Sequence, residues 1–258
     1  VFLPFLRTRG QSPRTIVLYM LVGAMQLGIM YLLAFRAYLY LTVSEFLLFT
    51  VFTPLYITLI YDLLSGRKLR WGYLLSAALA VLGAAIIRYD KVSDHFWTGL
   101  LLVQLSNLCF AIGMVGYKRL MEVRPMPQHN AFAWFYVGAF IVAVAAWFML
   151  GNAQKLPTTT LQWSVLVWLG VVASGLGYFM WNYGATQVDA GTLGIMNNVH
   201  VPAGLLVNLA IWQEQPHWPS FISGALVILA SLWVHRRWVA PHSGQTADDR
   251  RRGSAQSE

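Results

Sequence analysis

The 258-residue sequence is 57% hydrophobic and only 11% charged, with a net charge of +8. Roughly a quarter of an ordinary soluble domain is charged, so a globule with a fully polar shell is excluded. The basic residues flank apolar runs instead of forming the aromatic-interleaved stripe of a nucleic-acid-binding domain, and the single cysteine, Cys109, excludes an intramolecular disulfide framework.

The chain opens on Val1-Phe2-Leu3-Pro4-Phe5-Leu6 followed by Arg7 and Arg9, which reads as the end of a span already under way, so an N-terminal truncation is expected. Crossing about 30 Å of hydrocarbon takes about 20 mostly apolar residues whose backbone groups are hydrogen-bonded internally. Eight stretches qualify: 15–35, 43–64, 70–88, 97–117, 131–150, 161–184, 190–212 and 218–238. The expected fold class is an all-α polytopic membrane protein, with a polar tail at 239–258 expected to be disordered and cytoplasmic. Cys109, inside the fourth run, reads as a small packing residue.

Short cytoplasmic loops carry an excess of Lys and Arg. Alternate connections here hold fourteen basic residues (Arg7, Arg9, Arg14; Arg67, Lys68, Arg70; Lys118, Arg119, Arg124; Arg236, Arg237, Arg250, Arg251, Arg252), against Arg36, Arg88, Lys91 and Lys155 on the other side. That division implies a cytoplasmic C-terminus. Trp71, Trp97, Trp163, Trp218 and Trp238 near span ends fit interfacial anchoring.

Sliding the chain against itself gives one informative offset, 148 residues without a gap. It pairs Ala37 with Ala185, Pro54 with Pro202, Tyr31 with Phe179, Phe35 with Tyr183, Ser44 with Thr192, Tyr73 with Phe221 and Ala77 with Ala225. Chance similarity between apolar stretches is the alternative; read as a repeat, 15–88 and 163–236 are copies of one unit. Two further spans, 97–150, lie between them, so a complete unit has five spans and its second copy inserts upside down. Eight of an expected ten helices are then present, in inverted five-helix repeats: 1–96 is the C-terminal part of the first and 97–238 the second. Such symmetry is a transporter architecture.

Polar side chains inside a bilayer are costly and are therefore candidates for function. Glu45 either exchanges protons or sits at the interface and pairs with Arg36; Gln104 and Asn107 share a helix face and either meet a solute or bond a neighbouring helix. Trp181, Asn182 and Tyr183 offer a stacking face and an amide, or belong to an aromatic belt. Asn197, Asn198 and His200 precede Pro202, which frees a backbone carbonyl, so they are placed to line a discontinuous helix. No phosphate-binding loop, metal-ligand spacing or nucleophile arrangement is visible, so neither an enzyme nor a bound cofactor or metal is expected.

Phe35-Arg36-Ala37-Tyr38-Leu39-Tyr40-Leu41-Thr42-Val43-Ser44 before a proline-bearing span, followed by Arg67-Lys68-Leu69-Arg70-Trp71-Gly72, resembles the EamA family of the drug/metabolite transporter superfamily. The stretches Leu21–Gly28, Pro125–Trp134 and Asp189–Asn198 extend the resemblance over essentially the whole chain. It implies a permease in the bacterial cytoplasmic membrane that takes up biotin, or another carboxylate, amino acid or amine. An exporter of amino acids is the runner-up, and a membrane-embedded enzyme a remote third. For biotin, the ureido ring calls for Asn or Gln, the apolar ring for an aromatic wall and the carboxylate for a cation; Arg36 and Lys118 are available, with snorkelling their alternative use.

Overall fold

A computed structural model describes residues 2–41, 43–66, 71–72, 75, 78–79, 82, 96–212, 218–235 and 237. The described residues are helical, with no strand among them. Most of the expected span at 70–88 and the tail at 239–258 lie outside them. Among the described residues four helices are long and apolar enough to cross a membrane, which makes the chain a multi-pass membrane protein. They are α1 (Pro13–Ala37), α4 (Phe96–Val123), α5 (Gln128–Leu150) and α6 (Thr160–Ala185). Two expected spans are each broken in two: 43–64 into α2 (Val43–Thr50) and α3 (Thr53–Leu64), and 190–212 into α7 (Ala190–Asn197) and α8 (His200–Trp212). The last helix is α9 (Trp218–Val234).

Local chemistry sets these ends. Ser12 caps α1 by accepting from the Thr15 amide, and Pro13 at the first position gives up only an amide that the helix leaves unpaired anyway. Thr159 and Gln162 form a reciprocal capping box on α6. The breaks have a matching origin. Pro54 has no N–H to give the carbonyl four residues back, and that carbonyl, on Thr50, accepts the Thr53 hydroxyl at 2.6 Å instead. Ahead of Pro202, the Asn197 carbonyl accepts the His200 Nδ1–H at 2.5 Å. The sequence pointed to the second break; the first, at an equivalent proline, is an addition to it.

Helices α1 and α6 each carry a wide π-helical segment at mid-length, Ala24–Ile29 and Leu169–Gly177. Shifted by 148 residues, the first falls within the second, the ends of α1 fall within a residue of those of α6, and α2 and α3 fall within a residue of α7 and α8.

The chain divides into two compact units. The first comprises Val1–Tyr40 and Trp97–Val188. In it α1 and α5 meet through reciprocal glycines: a Cβ on Gly23 would overlap the Phe135 carbonyl, and one on Gly138 the Met20 carbonyl. In lipid, where no hydrophobic force drives helices together, such close backbone approach is what packing requires. Beside it, Phe132 stacks on Phe135 at 4.6 Å and Tyr117 meets both edge-on at 6.1 Å. Helix α6 is exposed along most of its length through Leu161, Val165, Val167, Leu176 and similar apolar side chains, as a lipid-facing helix should be. The second unit comprises Leu41–Phe96 and Asp189–Glu258; α7 packs on α3 and α9 around Val51, Ile195 and Ile228.

Candidate functional site

In the second unit the two helix breaks face each other. Asn198, fully buried at the end of α7, donates from Nδ2 to the Val51 carbonyl at 3.0 Å, so the side chain of one break satisfies the backbone of the other. His200 Nε2 lies 3.4 Å from Thr50 Oγ1, and Gly194 keeps α7 close to the Pro54 carbonyl. Asn197 is buried at the same break and Glu45 in the first turn of α2. His200 is the exposed member of the group. The arrangement gathers unwound backbone and polar side chains, the ingredients with which discontinuous helices bind solutes and ions.

At the start of α7, Asp189 caps the helix through the Gly191 and Thr192 amides at 2.9 and 3.1 Å, and its second oxygen takes the Thr192 hydroxyl at 2.6 Å. The fully buried His235 ring meets the same carboxylate at 2.7 Å, and Gly191 leaves room for that ring. Burial alone would raise the Asp189 pKa, but the hydrogen bonds from His235 and Thr192 outweigh it and hold the carboxyl well below the usual carboxylate range.

In the first unit, Asn107 is buried on α4 with Nδ2 3.5 Å from Gln104 Oε1, and Ser106 between them bonds the Met30 carbonyl of α1 at 3.0 Å. Trp181 donates its indole N–H to Met114 Sδ at 2.9 Å; Tyr183 is half exposed and stacks on Phe179. Asn182 is fully buried; its Nδ2 caps the Tyr178 carbonyl at 2.9 Å, while Oδ1 has no partner among the described residues. Lys118 is buried at the basic end, on the Val188 carbonyl at 2.6 Å and Glu122 at 3.3 Å. The same end brings together Arg124 with Thr15 and Arg7 with Asn130, so the basic residues before α1, at the end of α4 and before α5 share one side of this unit.

The five candidates at 104, 107 and 181–183 thus fall in one unit, and Glu45, Asn197, Asn198 and His200 in the other.

Three polar features escaped the sequence reading. Gln26, on the π-helical turn of α1, is fully buried, and neither end of its amide has a partner among the described residues. An amide so placed costs about 1–3 kcal/mol, so it calls for an explanation. A glutamine in mid-span is the signal that could have found it. Ser174, on the π-helical segment of α6, is met by the Tyr31 hydroxyl at 3.4 Å and accepts the Tyr136 hydroxyl at its carbonyl. The Asp189–His235 pair joins residues 46 apart, a spacing that carries no local signal.

Two grooves on the first unit, of about 490 and 430 Å³, are lined by apolar and aromatic groups such as Tyr31, Phe35, Trp147 and Phe2, Phe140, Val171. They lack the amides and charges that a ureido ring or carboxylate requires.

Residues 97–236 match the model of the EamA-like transporter family. The chain is 83% identical over its full length to the biotin transporter of Escherichia coli (strain K12), covering 86% of that protein. It is 52% identical over 92% of its length to a probable biotin transporter of Pseudomonas aeruginosa, covering 83% of it. A crystal structure with 16% identity shares the fold, with a TM-score of 0.68 over 88% of this chain and 86% of that one. Family match and identity agree: the chain belongs to the EamA-like transporter family, whose members are permeases, not enzymes.

Proposed function

We propose that the protein imports biotin across the bacterial cytoplasmic membrane as a secondary permease that uses no ATP. The observation that carries this reading is 83% identity, over the whole chain, to a protein named a biotin transporter. The chemistry of the buried side chains supports it. Biotin presents a ureido group, an apolar bicycle and a carboxylate; the helices bury several primary amides, and Trp181 precedes one of them, Asn182, on α6.

In this reading Gln104, Asn107, Trp181, Asn182 and Tyr183 of one unit, and Glu45, Asn197, Asn198 and His200 of the other, contact the solute or the coupling ion during carriage. Eight spans form inverted repeats, 1–96 and 97–238. The coincidence of helix ends, π-helical segments and breaks at an offset of 148 residues favours such a repeat. The two copies rock against each other in alternating access. Basic residues gathered at one end of the first unit support a cytoplasmic placement for that end and for the C-terminus.

The test is accumulation of labelled biotin by cells that lack their own uptake and express the protein. The expected result is saturable accumulation, abolished by unlabelled biotin and indifferent to amino acids. Accumulation no greater than in control cells, accompanied by faster amino-acid efflux, would replace import of biotin with export.

A further inference from the structure

Gln26 lies 13 residues from the start of α1 and 11 from its end, close to the middle of the span. The helix there is wound as a π-helical turn, a geometry that weakens the regular ladder and recurs at functional positions. The side chain is fully buried, and both its oxygen and its nitrogen are without partners among the described residues. Its position is also enforced: a Cβ on Gly113 of α4 would overlap the Gln26 Cβ, so the facing helix carries a glycine where any side chain would displace it. The next residue, Met114, accepts the Trp181 indole N–H, so an aromatic side chain is tied to α4 one residue in sequence from Gly113.

Packing alone would be served better by leucine or methionine, which fill the same space without an unpaired amide. A glutamine held at mid-span with no partner among the described residues fits a group whose partner arrives with the solute. A primary amide offers an N–H beside a C=O, and a cyclic urea offers the complementary edge, so the two join through a pair of parallel hydrogen bonds. We propose that Gln26 recognises the ureido group of the transported solute through such a pair, an inference that rests on the biotin reading above. Helices α1 and α4 close over the amide in the state described here and part at Gly113 to admit the ring.

The experiment measures labelled biotin uptake and its inhibition by 2-iminobiotin, whose cyclic guanidine is cationic at neutral pH, for wild type, Gln26→Leu and Gln26→Glu. Gln26→Leu should raise KM for biotin about tenfold or more, with a thermal midpoint in detergent equal to or above that of wild type, because the lost bonds exist only with solute present. Gln26→Glu should weaken biotin and strengthen 2-iminobiotin, shifting their ratio by about tenfold or more, because a carboxylate pairs with a guanidinium through two charge-assisted bonds. A gain toward the guanidine is something that a merely structural glutamine does not produce. Wild-type KM in both variants, or a lowered midpoint in Gln26→Leu with both ligands weakened alike in Gln26→Glu, overturns the inference and leaves biotin transport standing. Absence of biotin uptake by wild type overturns the biotin reading itself.

Discussion

Asp189 serves two helices with one carboxylate, capping α7 and holding the buried His235 ring at the end of α9. Because its pKa is lower in the folded than in the unfolded chain, the stabilisation it supplies is fully present above the unfolded value of about 4 and is lost as pH falls through the folded one. Thermal midpoints in detergent should therefore decline for wild type below about pH 4. Asp189→Asn, which keeps an acceptor for the cap but no charge, should give a flatter curve in that window. Identical curves would show that the pair contributes nothing through its charge. Asn198 poses a different case, since it bonds a backbone carbonyl in the opposite break. Asn198→Leu should cost about 1–3 kcal/mol of stability and lower uptake, measured as midpoint and initial rate, because it strands the Val51 carbonyl. The sequence marked Asn198 because a proline stands four residues on. It could not mark Asp189 and His235 as partners, because a contact across 46 residues depends on which helix ends the fold brings together.

Glycine content is uniform to the eye along these helices, but the packing separates its members. Gly23 and Gly138 hold α1 and α5 at backbone contact, whereas a Cβ at Gly184 of α6 would meet nothing within 4 Å. Gly138→Leu should push the helices apart, costing about 1–3 kcal/mol or more. Gly184→Ala should be neutral or stabilise by about 0.5–1 kcal/mol through helix propensity alone. Thermal melts of the two variants check the contrast, and equal losses would refute the close approach. The positions of the four long spans were legible because a hydrophobic run is a local feature; the caps Ser12 and Thr159, which fix where two of them start, are local too but were not read. The π-helical segments were not legible, because composition does not distinguish a wide turn from an ordinary one, whereas Gln26 was legible as a polar residue in mid-span and was passed over. Pro202 signalled its break, and Pro54 was read as a repeat marker and part of the family resemblance but not as a break, although both remove the same backbone donor.

For the molecule as a whole, the apolar exterior of α5 and α6 and the clustering of Arg7, Arg124 and Lys118 at one end of a unit describe a protein that lipid surrounds and whose connections alternate sides. In a Cys109→Ala background, Asn152→Cys, beyond α5, should react with an impermeant maleimide in intact cells, and Arg9→Cys, before α1, only after lysis. The reverse pattern would invert the orientation without altering the fold. Import of biotin is tested most directly by counterflow. Liposomes containing the purified protein and loaded with unlabelled biotin are diluted into labelled biotin, an exchange that needs no coupling ion. Transient label accumulation above that of protein-free liposomes is predicted, and equal label in both, with the protein folded and inserted, would contradict the account.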